Sequence, residues 1–580
     1  MGPLAMPIRI LSSEVVARIA AGEVVERPVS VAKELIENSL DAGASQIEVE
    51  VQAGGIGLLR VVDDGSGIPP EEIEAAFQRH ATSKIVDTSH LERIETLGFR
   101  GEALASIAAV ADVTLLTRPA AEVGGAFMRV AGGEVLEHGP RGAPPGTSIA
   151  VRNLFRVVPA RLKFLKSNAA EAGRITTLVS RCALAYPGVR FGLTIDGRKI
   201  FFSQGGGDLR DALAQLYGSD TAAAMLEVRH EESFGDVPVS VTGMVGGPAV
   251  TRANRSYVTL FVNRRLIQSR TLTFAVLDAY QGLLMSGRYP LAVLDIGIDP
   301  AETDVNVHPA KSEVKFRDEG IVFSAVHHAV KMALGASQIA RPAQAGIAAP
   351  PVGSAGPVLQ SASPRLDEFG GPVAPQANGA GDDGVQAQFG VPVLRVLGQL
   401  NSTFIVSEGP QGMYLIDQHT AHERVLFDRL RGEKSNGEVS AQGLLEPETV
   451  ELTPEQESLL ADQMEVLNGW GFSLEPFGER TVLIRALPGS LSSKGSAQAL
   501  RDVLDHMASE DLKGYDWEDR VLATVACHGA VRAGQDLTEA EMQEMVRLLE
   551  STENPHSCPH GRPVMVHMSN FQLEKEFGRR

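Results

Sequence analysis

The chain has 580 residues, a mass of 61.7 kDa and a formal net charge of −19. One hydrophobic core stops growing beyond about 250 to 300 residues, so this length predicts several domains. The acidic balance excludes a protein that coats nucleic acid through its overall charge, and the sequence lacks both an apolar run long enough for a membrane span and an export signal. We therefore expect a cytoplasmic protein with no membrane contact, which its three cysteines also fit.

The first predicted element is an amphipathic helix over residues 28–44, with Ser30 as its N-cap and Gly43 as its stop signal. Glu34 and Asn38 lie four residues apart, so their side chains emerge from one face. A carboxylate beside an amide oxygen suits a general base for water next to a ligand for Mg²⁺. The alternative is an ordinary solvated helix face.

Three glycine-containing segments follow. A strand runs into D-x-G-x-G at residues 58–69, where the buried carboxylate of Asp63 could accept a hydrogen bond from an exocyclic amine such as that of adenine. Residues 96–107 form a G-x-x-G loop that leads into a helix, which is typical of an anion site. A Gly-Thr pair that ends at Thr147 opens a further strand.

These four motifs, in this order and spacing, resemble the ATP site of the GHKL superfamily. Within that superfamily, the chain is similar to the MutL family of DNA mismatch repair proteins, and the resemblance covers nearly the whole chain. The segments that carry it are AAGEVVERPVSVAKELIENSLDAGA, RHATSKI, LGFRGEALASI and PARLKFL. It implies that Glu34 polarises water, Asn38 holds Mg²⁺ and Asp63 binds adenine. The other ATP contacts that it implies are Gly65, Gly67, Thr82, Ser83, Lys84, Gly98, Phe99, Arg100, Gly101, Glu102, Ala103, Leu104 and Thr147.

The resemblance also implies the architecture, an α+β and α/β multidomain chain. We expect a GHKL ATPase sandwich over 1–220, a βαβ transducer domain similar to ribosomal S5 over 221–335, and a C-terminal α/β dimerisation and nuclease domain over 392–580. The Pro-, Gly- and Ala-rich stretch 336–391 predicts a flexible linker between them.

The resemblance implies roles for two further residues of the N-terminal half. Lys311, in the loop DVNVHPAKSEVKF, is implied to reach the γ-phosphate of ATP, and Arg265 is implied to contact DNA. Arg264 replaces a customary glycine beside it, and residues 156–158 also depart from the family pattern, so they carry no predicted function. Residues 82–97 suit a mobile lid over ATP, with an ordinary surface loop as the alternative.

The C-terminal half carries a candidate metal site. His419 and Glu423 lie one turn apart in DQHTAHERVLFD, and Cys558 and His560 form C-x-H. Imidazole, thiolate and carboxylate together suit Zn²⁺ or another borderline ion. With Asp417 and Cys527, these segments resemble the metal-dependent endonuclease domain of nicking MutL proteins, which implies Zn²⁺ or Mn²⁺. Thr420 and Asp428 depart from its motif, which puts the outer carboxylate in doubt.

The segment QGLLEP, residues 442–447, has two open interpretations. It could turn its leucines inward as an edge strand, or present Gln442, Leu444 and Leu445 to a pocket on a partner, which the resemblance implies is the replication sliding clamp. The resemblance further implies a homodimer that acts with a MutS-type mismatch sensor, hydrolyses ATP and nicks DNA. An ATP-switched clamp without nuclease activity, or another enzyme of the superfamily, is the alternative.

Overall fold

The structure is a computed structural model that describes residues 25–84, 96–98, 101–235, 237–284, 288–304, 314–339, 393–435, 439–491, 495–508, 517–531, 535–559 and 561–577. The chain divides into two compact units, residues 1–344 together with 452–462, and residues 345–451 together with 463–580. None of the described helices is long and apolar enough to cross a membrane. The predicted linker falls outside these ranges, except that residues 336–339 continue a helix.

An eight-stranded sheet forms the first part of unit 1. Its strands are β1 (Gln46–Gln52), β2 (Leu58–Asp63), β3 (Asp112–Arg118), β4 (Gly125–Ala131), β5 (Glu134–Arg141), β6 (Gly146–Arg152), β7 (Arg190–Ile195) and β8 (Arg198–Phe202). They lie in the order β5-β4-β3-β6-β2-β1-β7-β8, and the pair β1 and β7 is parallel. The helices here are α1 (Pro28–Asp41), α2 (Ile73–Ala76), α3 (Ala103–Val110), α4 (Pro159–Leu162), α5 (Asn168–Ala185), α6 (Leu209–Tyr217) and α7 (Ser219–Ala223).

Strand register aligns the apolar side chains of this sheet on one face. Val49 stands opposite Val61 on β2 and Leu193 on β7, and all three are buried. They share one core with Leu35 of α1 and Ile175 of α5. Because strand side chains alternate, the helices cover one face of the sheet, as the alternation in β1 predicts.

The start of α1 corrects one prediction. The helix begins at Pro28 with Arg27 as its N-cap, so Ser30 lies inside the first turn and does not cap it. Proline is favoured at this position because its missing N–H would have no helical partner there. The predicted stop is confirmed, because Gly43 has a φ of 71° just beyond the C-cap Ala42.

A second sheet of unit 1 follows. It has the order β13-β12-β15-β10-β9 and one parallel pair, β12 with β15. The strands of this region are β9 (Met225–Phe234), β10 (Val237–Gly246), β11 (Thr251–Arg252), β12 (Val258–Val262), β13 (Arg265–Ile267), β14 (Tyr289–Pro290), β15 (Ala292–Ile298), β16 (Thr303–Asp304) and β17 (Lys315–Phe316). The helices α8 (Arg270–Ala279) and α9 (Glu319–Ile339) share its core.

Unit 2 contains a four-stranded sheet of order β18-β19-β20-β24, and a three-stranded sheet of order β21-β23-β22 also lies in the C-terminal half. These strands are β18 (Arg395–Leu400), β19 (Phe404–Gly409), β20 (Gly412–Asp417), β21 (Ala441–Glu451), β22 (Ser473–Pro476), β23 (Thr481–Pro488) and β24 (Met565–Ser569). The helices are α10 (Gln418–Ser435), α11 (Pro454–Gly469), α12 (Ser496–Ala508), α13 (Trp517–Gly529), α14 (Glu539–Glu550) and α15 (Asn570–Glu576).

Candidate nucleotide site and candidate metal centre

Asp63 lies at the end of β2 with both carboxylate oxygens engaged. Oδ1 accepts hydrogen bonds from the backbone N–H of Gly65 at 3.0 Å and of Thr147 at 3.2 Å, and Oδ2 accepts one from the Ser39 hydroxyl at 2.8 Å. Thr147 is near because it pairs with Asp63 across β2 and β6. Burial raises the pKa of Asp63 above its ordinary value. The carboxylate is thus oriented by three donors from three segments.

A threonine that the motifs do not include completes this edge. Thr117 pairs with Thr147 across β3 and β6, and their hydroxyl oxygens lie 3.0 Å apart. The Thr117 hydroxyl also accepts the backbone N–H of Ile68 at 2.8 Å. Gly67, just before Ile68, has a φ of 73°, and a Cβ there would lie 2.6 Å from the backbone of Arg118. The D-x-G-x-G turn therefore needs glycine at 67 and is fixed by Thr117.

The polar face of α1 carries a second network. Lys84 Nζ donates to Asn38 Oδ1 at 2.9 Å and to Asp41 Oδ2 at 2.6 Å. Asp41 also accepts the backbone N–H groups of Leu97 and Gly98, both at 3.0 Å. One carboxylate at the helix end thus holds the G-x-x-G loop against the helix. Sequence reasoning missed Asp41, although its place three residues after Asn38 puts it on the same helix face.

The remaining predicted nucleotide residues surround this network. Glu34 is half-buried one turn before Asn38, and the exposed Thr82 accepts the N–H of Lys84 at 3.1 Å through its hydroxyl. Gly101 has a φ of 60° and lies close to the backbone of Ala81. Gly65 is buried, Ser83 is exposed, and three more are half-buried: Glu102, Ala103 and Leu104. Phe99, Arg100 and Lys311 lie outside the described residues.

The anion-site prediction concerns the start of α3. Ala103 and Leu104 are its first two residues, and Glu102 precedes them as the N-cap without a side-chain capping bond. The first N–H groups of a helix have no intrahelical partner, so they can donate to a phosphate. His80 Nδ1 lies 3.0 Å from the Glu102 carboxylate, which links this helix start to the segment before Thr82.

In unit 2, three of the predicted metal ligands come together. His419 and Glu423 on α10 and Cys527 on α13 present ligand atoms that all lie within 4.8 Å of one another. His419 Nδ1 lies 2.8 Å from the Val531 carbonyl, which can only accept, so Nδ1 carries the proton. His419 Nε2 then faces Glu423 Oε1 at 3.3 Å, and hydrogen bonding to this carboxylate raises the pKa of His419, so Nε2 can hold either a proton or a metal ion. The N, O and S donor set fits Zn²⁺.

A second histidine supports this cluster and was missed. The backbone N–H of Val531 donates to His422 Nδ1 at 2.9 Å, so His422 accepts where His419 donates. Burial lowers the pKa of His422 to about 4, which keeps it neutral. Val531 is therefore held at both main-chain groups, and the chain just beyond Cys527 is fixed against α10. The sequence signal is the H-x-x-H spacing within DQHTAHE.

The other predicted ligands have different roles or lie apart. Asp417 Oδ1 accepts the N–H groups of His419 and Thr420, both at 3.0 Å, so it caps α10, and its binding of a metal stays a prediction. Cys558 is 1% exposed in the core of the unit and is not a member of the His419 group within the described part of the chain. His560 lies outside the described residues.

Asp428, the residue in doubt at the outer carboxylate position, has a structural role. It is paired with Arg424 one turn earlier, and its Oδ2 accepts the backbone N–H of Glu553 at 3.0 Å. Aspartate at this place therefore ties α10 to the loop that precedes the C-x-H segment.

The QGLLEP segment lies in β21, on the outer side of the three-stranded sheet. Gln442 pairs with Leu487, but the register shifts between Gly443 and Glu448. The residues between them bulge from the ladder. Leu445 is 100% exposed, so its side chain does not turn inward, and Leu444 is half-buried.

Arg265 does not fit its predicted contact with DNA. Its side chain is buried, with 6% of the residue exposed, and Nη2 donates to the Thr96 carbonyl at 2.8 Å. A buried guanidinium cannot reach a phosphate backbone, so the structure corrects this prediction.

Comparisons with known proteins give the family. A model described as histidine kinase-, DNA gyrase B- and HSP90-like ATPase matches residues 26–131, one described as DNA mismatch repair protein, C-terminal domain, matches 213–335, and one described as MutL C terminal dimerisation domain matches 397–537. DNA mismatch repair protein MutL of Desulforudis audaxviator is 41% identical over 579 residues, which covers 99% of both chains. The chain belongs to the MutL family of DNA mismatch repair proteins.

Other relatives agree. The MutL protein of Methanothrix thermoacetophila is 40% identical over 99% of this chain and 100% of its own. A crystal structure of the N terminal domain of a DNA repair protein matches 56% of this chain and 100% of its own, with a TM-score of 0.50 and 22% identity, which shows a shared fold. This MutL family member thus has an N-terminal GHKL ATPase domain and a C-terminal dimerisation domain, as its motifs predict.

Proposed function

We propose that this chain is an ATP-driven, metal-dependent DNA-nicking protein that acts in the cytosol as a homodimer and couples a MutS-type mismatch sensor to strand incision. The observation that carries the nicking activity is the cluster of His419, Glu423 and Cys527, whose ligand atoms lie within 4.8 Å of one another. A Zn²⁺ or Mn²⁺ ion held there would activate water or stabilise the leaving oxygen of a phosphodiester. The protein itself fixes the His419 tautomer through Val531.

ATP hydrolysis would use the polar face of α1. Glu34 would accept a proton from the attacking water, and Asn38 would hold the Mg²⁺ that offsets phosphate charge. Asp63 would accept the adenine amine, since Ser39, Gly65 and Thr147 already orient its carboxylate. The N–H groups at the start of α3, with Lys311, would offset phosphate charge. Residues 85–95 of the predicted lid at 82–97 lie outside the described residues, so its closure over the nucleotide stays a prediction.

Homodimer formation fits one face of the four-stranded sheet. Val406 on β19 pairs with Leu415 on β20, which pairs with Val566 on β24. The neighbouring residues Ile405 and Ile416 are buried in the core, so this apolar row faces outward, and Val566 is 57% exposed. Val406 and Leu415 are half-buried, and a partly exposed apolar row of this kind fits an interaction surface.

The clamp contact rests on the bulge in β21. Because Leu445 is fully exposed beside Gln442, the segment can present both side chains to a pocket on a sliding clamp, which would bring a chain of net charge −19 onto DNA. We expect Gln442→Ala with Leu445→Ala to lose clamp-stimulated nicking and to keep basal nicking at low salt. Equal loss of both activities would show that the segment serves the fold.

Nicking is tested with a supercoiled plasmid and added Mn²⁺ and Zn²⁺. Cys527→Ala should abolish nicking and lower the bound metal while ATP hydrolysis continues. Cys182→Ala, which changes a half-buried cysteine of unit 1, is the matched control and should nick like wild type. A wild-type protein that hydrolyses ATP but leaves the plasmid intact under all metals would favour the alternative, an ATP-switched clamp that recruits a separate nuclease.

A further inference from the structure

Arg265 is a buried charge that the ATPase and nuclease roles leave unexplained. It is the first residue of β13, directly after the two turn residues Asn263 and Arg264, which have φ values of 49° and 64°. Arg264 is exposed at the turn, whereas Arg265 points inward with 6% of its surface exposed. Burying a guanidinium is costly unless its donors are satisfied, so the acceptor that it finds among the described residues is important.

That acceptor belongs to the G-x-x-G loop of the candidate nucleotide site. Arg265 Nη2 donates to the Thr96 carbonyl at 2.8 Å, while Nη1 is buried and has no hydrogen-bond partner within the described ranges. The Thr96 hydroxyl donates to the Gly98 carbonyl at 2.8 Å, and the Leu97 and Gly98 N–H groups bind Asp41. Since Asp41 also binds Lys84, Arg265 is connected to the polar face of α1 through this loop.

The two ends of this connection differ in how they are fixed. The hairpin that carries Arg265 is packed firmly, because Phe261 and Leu266 contact the core that α5 shares. Arg181 of α5 donates to the Ser256 carbonyl at 3.2 Å, and the Arg264 guanidinium lies over the Tyr186 ring. Residues 96–98, in contrast, are held by hydrogen bonds to Asp41 and Arg265. A shift of this loop would therefore act on the buried guanidinium directly.

We propose that Arg265 is a positioning residue of the ATPase, which holds residues 96–98 in place and couples their position to the second sheet. This inference rests on the proposed ATP site. If the loop moves when ATP binds, the Thr96 carbonyl moves with it, and Arg265 must follow or lose its acceptor. The position of the hairpin in the second sheet is thereby coupled to the position of the nucleotide loop through one hydrogen bond from a charged donor.

The experiment compares Arg265→Lys and Arg265→Ala with the exposed neighbour Arg264→Ala, all in the full-length protein. We expect Arg265→Ala to raise the KM for ATP by roughly tenfold, because a hydrogen bond from a charged donor is lost, and to change kcat less. Arg265→Lys should recover part of the affinity, since an ammonium can donate to one carbonyl. Arg264→Ala removes an exposed guanidinium and its contact with the Tyr186 ring, so it should change the KM far less than Arg265→Ala.

A double-mutant cycle separates positioning from folding. Thr96→Val removes the hydroxyl that closes the loop onto Gly98. Combined with Arg265→Lys, its effect on KM should be non-additive, because both changes act on one loop. Strict additivity, or a wild-type KM in all Arg265 variants with loss of DNA binding, would overturn the inference. A wild-type protein that fails to bind ATP would instead overturn the proposed function itself.

Discussion

The candidate nucleotide site and the candidate metal centre are built in opposite ways. The nucleotide site gathers side chains from α1, from the ends of three neighbouring strands and from two loops, so its geometry depends on the register of a whole sheet. The metal centre takes two ligands from one turn of α10 and a third from α13. A site assembled by register fails when any one segment shifts, whereas a site assembled on a helix needs only one further element to be placed.

The largest effect should come from Glu34. Replacing it with alanine should lower ATP hydrolysis by about 10² to 10⁴-fold while ATP binding persists, since the phosphate and adenine contacts lie elsewhere. Turnover measured by phosphate release, beside binding of a nonhydrolysable analogue, checks this. Basal plasmid nicking should not change, and a variant that still hydrolyses ATP at the wild-type rate would refute the role of Glu34.

Glu423→Gln should cause a comparable loss of DNA nicking, with ATP hydrolysis unchanged. The amide keeps the shape of the side chain but loses the negative charge that a cation needs, so nicking should fall by on the order of 10²-fold with less bound metal. Asp428→Asn is the control, because the Asp428 carboxylate binds Arg424 and Glu553 and does not belong to the cluster. Equal nicking by both variants would show that the cluster is not the catalytic centre.

A substitution of Asp41 tests whether the candidate nucleotide site depends on the placement of residues 96–98. Asp41→Asn weakens the pairing with Lys84 and the two loop contacts, and a charge-assisted hydrogen bond contributes about 1.5 to 3 kcal/mol. We expect ATP affinity to fall by roughly 10 to 100-fold, measured by calorimetry. Unchanged affinity would mean that the loop is held in place without Asp41.

The smallest effect concerns stability and pH. Burial raises the pKa of Asp63 above its value in the unfolded chain, so the folded state holds its proton to higher pH. Ionising Asp63 therefore lowers the stability as pH rises from its unfolded pKa, near 3.8, through its folded pKa. Asp63→Asn should weaken ATP binding yet melt at an equal or higher temperature at pH 7.5. A lower melting temperature for this variant would contradict the argument.

These differences explain which placements of residues can be predicted from the sequence. The pairs Glu34 with Asn38 and His419 with Glu423 follow from helical spacing, which is local, and the GHKL and dimerisation domains follow from motifs in order. Thr117 and Ser39 join the site through strand pairing and packing, which no local spacing encodes. The burial of Arg265 could not be predicted for the same reason, because the residue pattern does not show which side of the hairpin faces the core.

Other departures have local causes. Asp417 directly precedes α10 and caps it through Oδ1, a role that the metal-site prediction did not include. Ser30 looked like a cap because it precedes the apolar stripe, but Pro28 starts the helix two residues earlier. In QGLLEP, the bulge that exposes Leu445 depends on pairing with β23, so the two interpretations could not be separated without the structure.

Val531 carries a consequence for how this chain can vary. His419 and His422 hold it through its carbonyl and its N–H, and neither hydrogen bond uses the Val531 side chain. That side chain packs against the core of the unit, so apolar substitutions at 531 should be tolerated best. Proline should not be tolerated, although it is apolar, because it has no N–H to offer His422. Among apolar residues, position 531 would then exclude one type for a reason that its own side chain does not reveal.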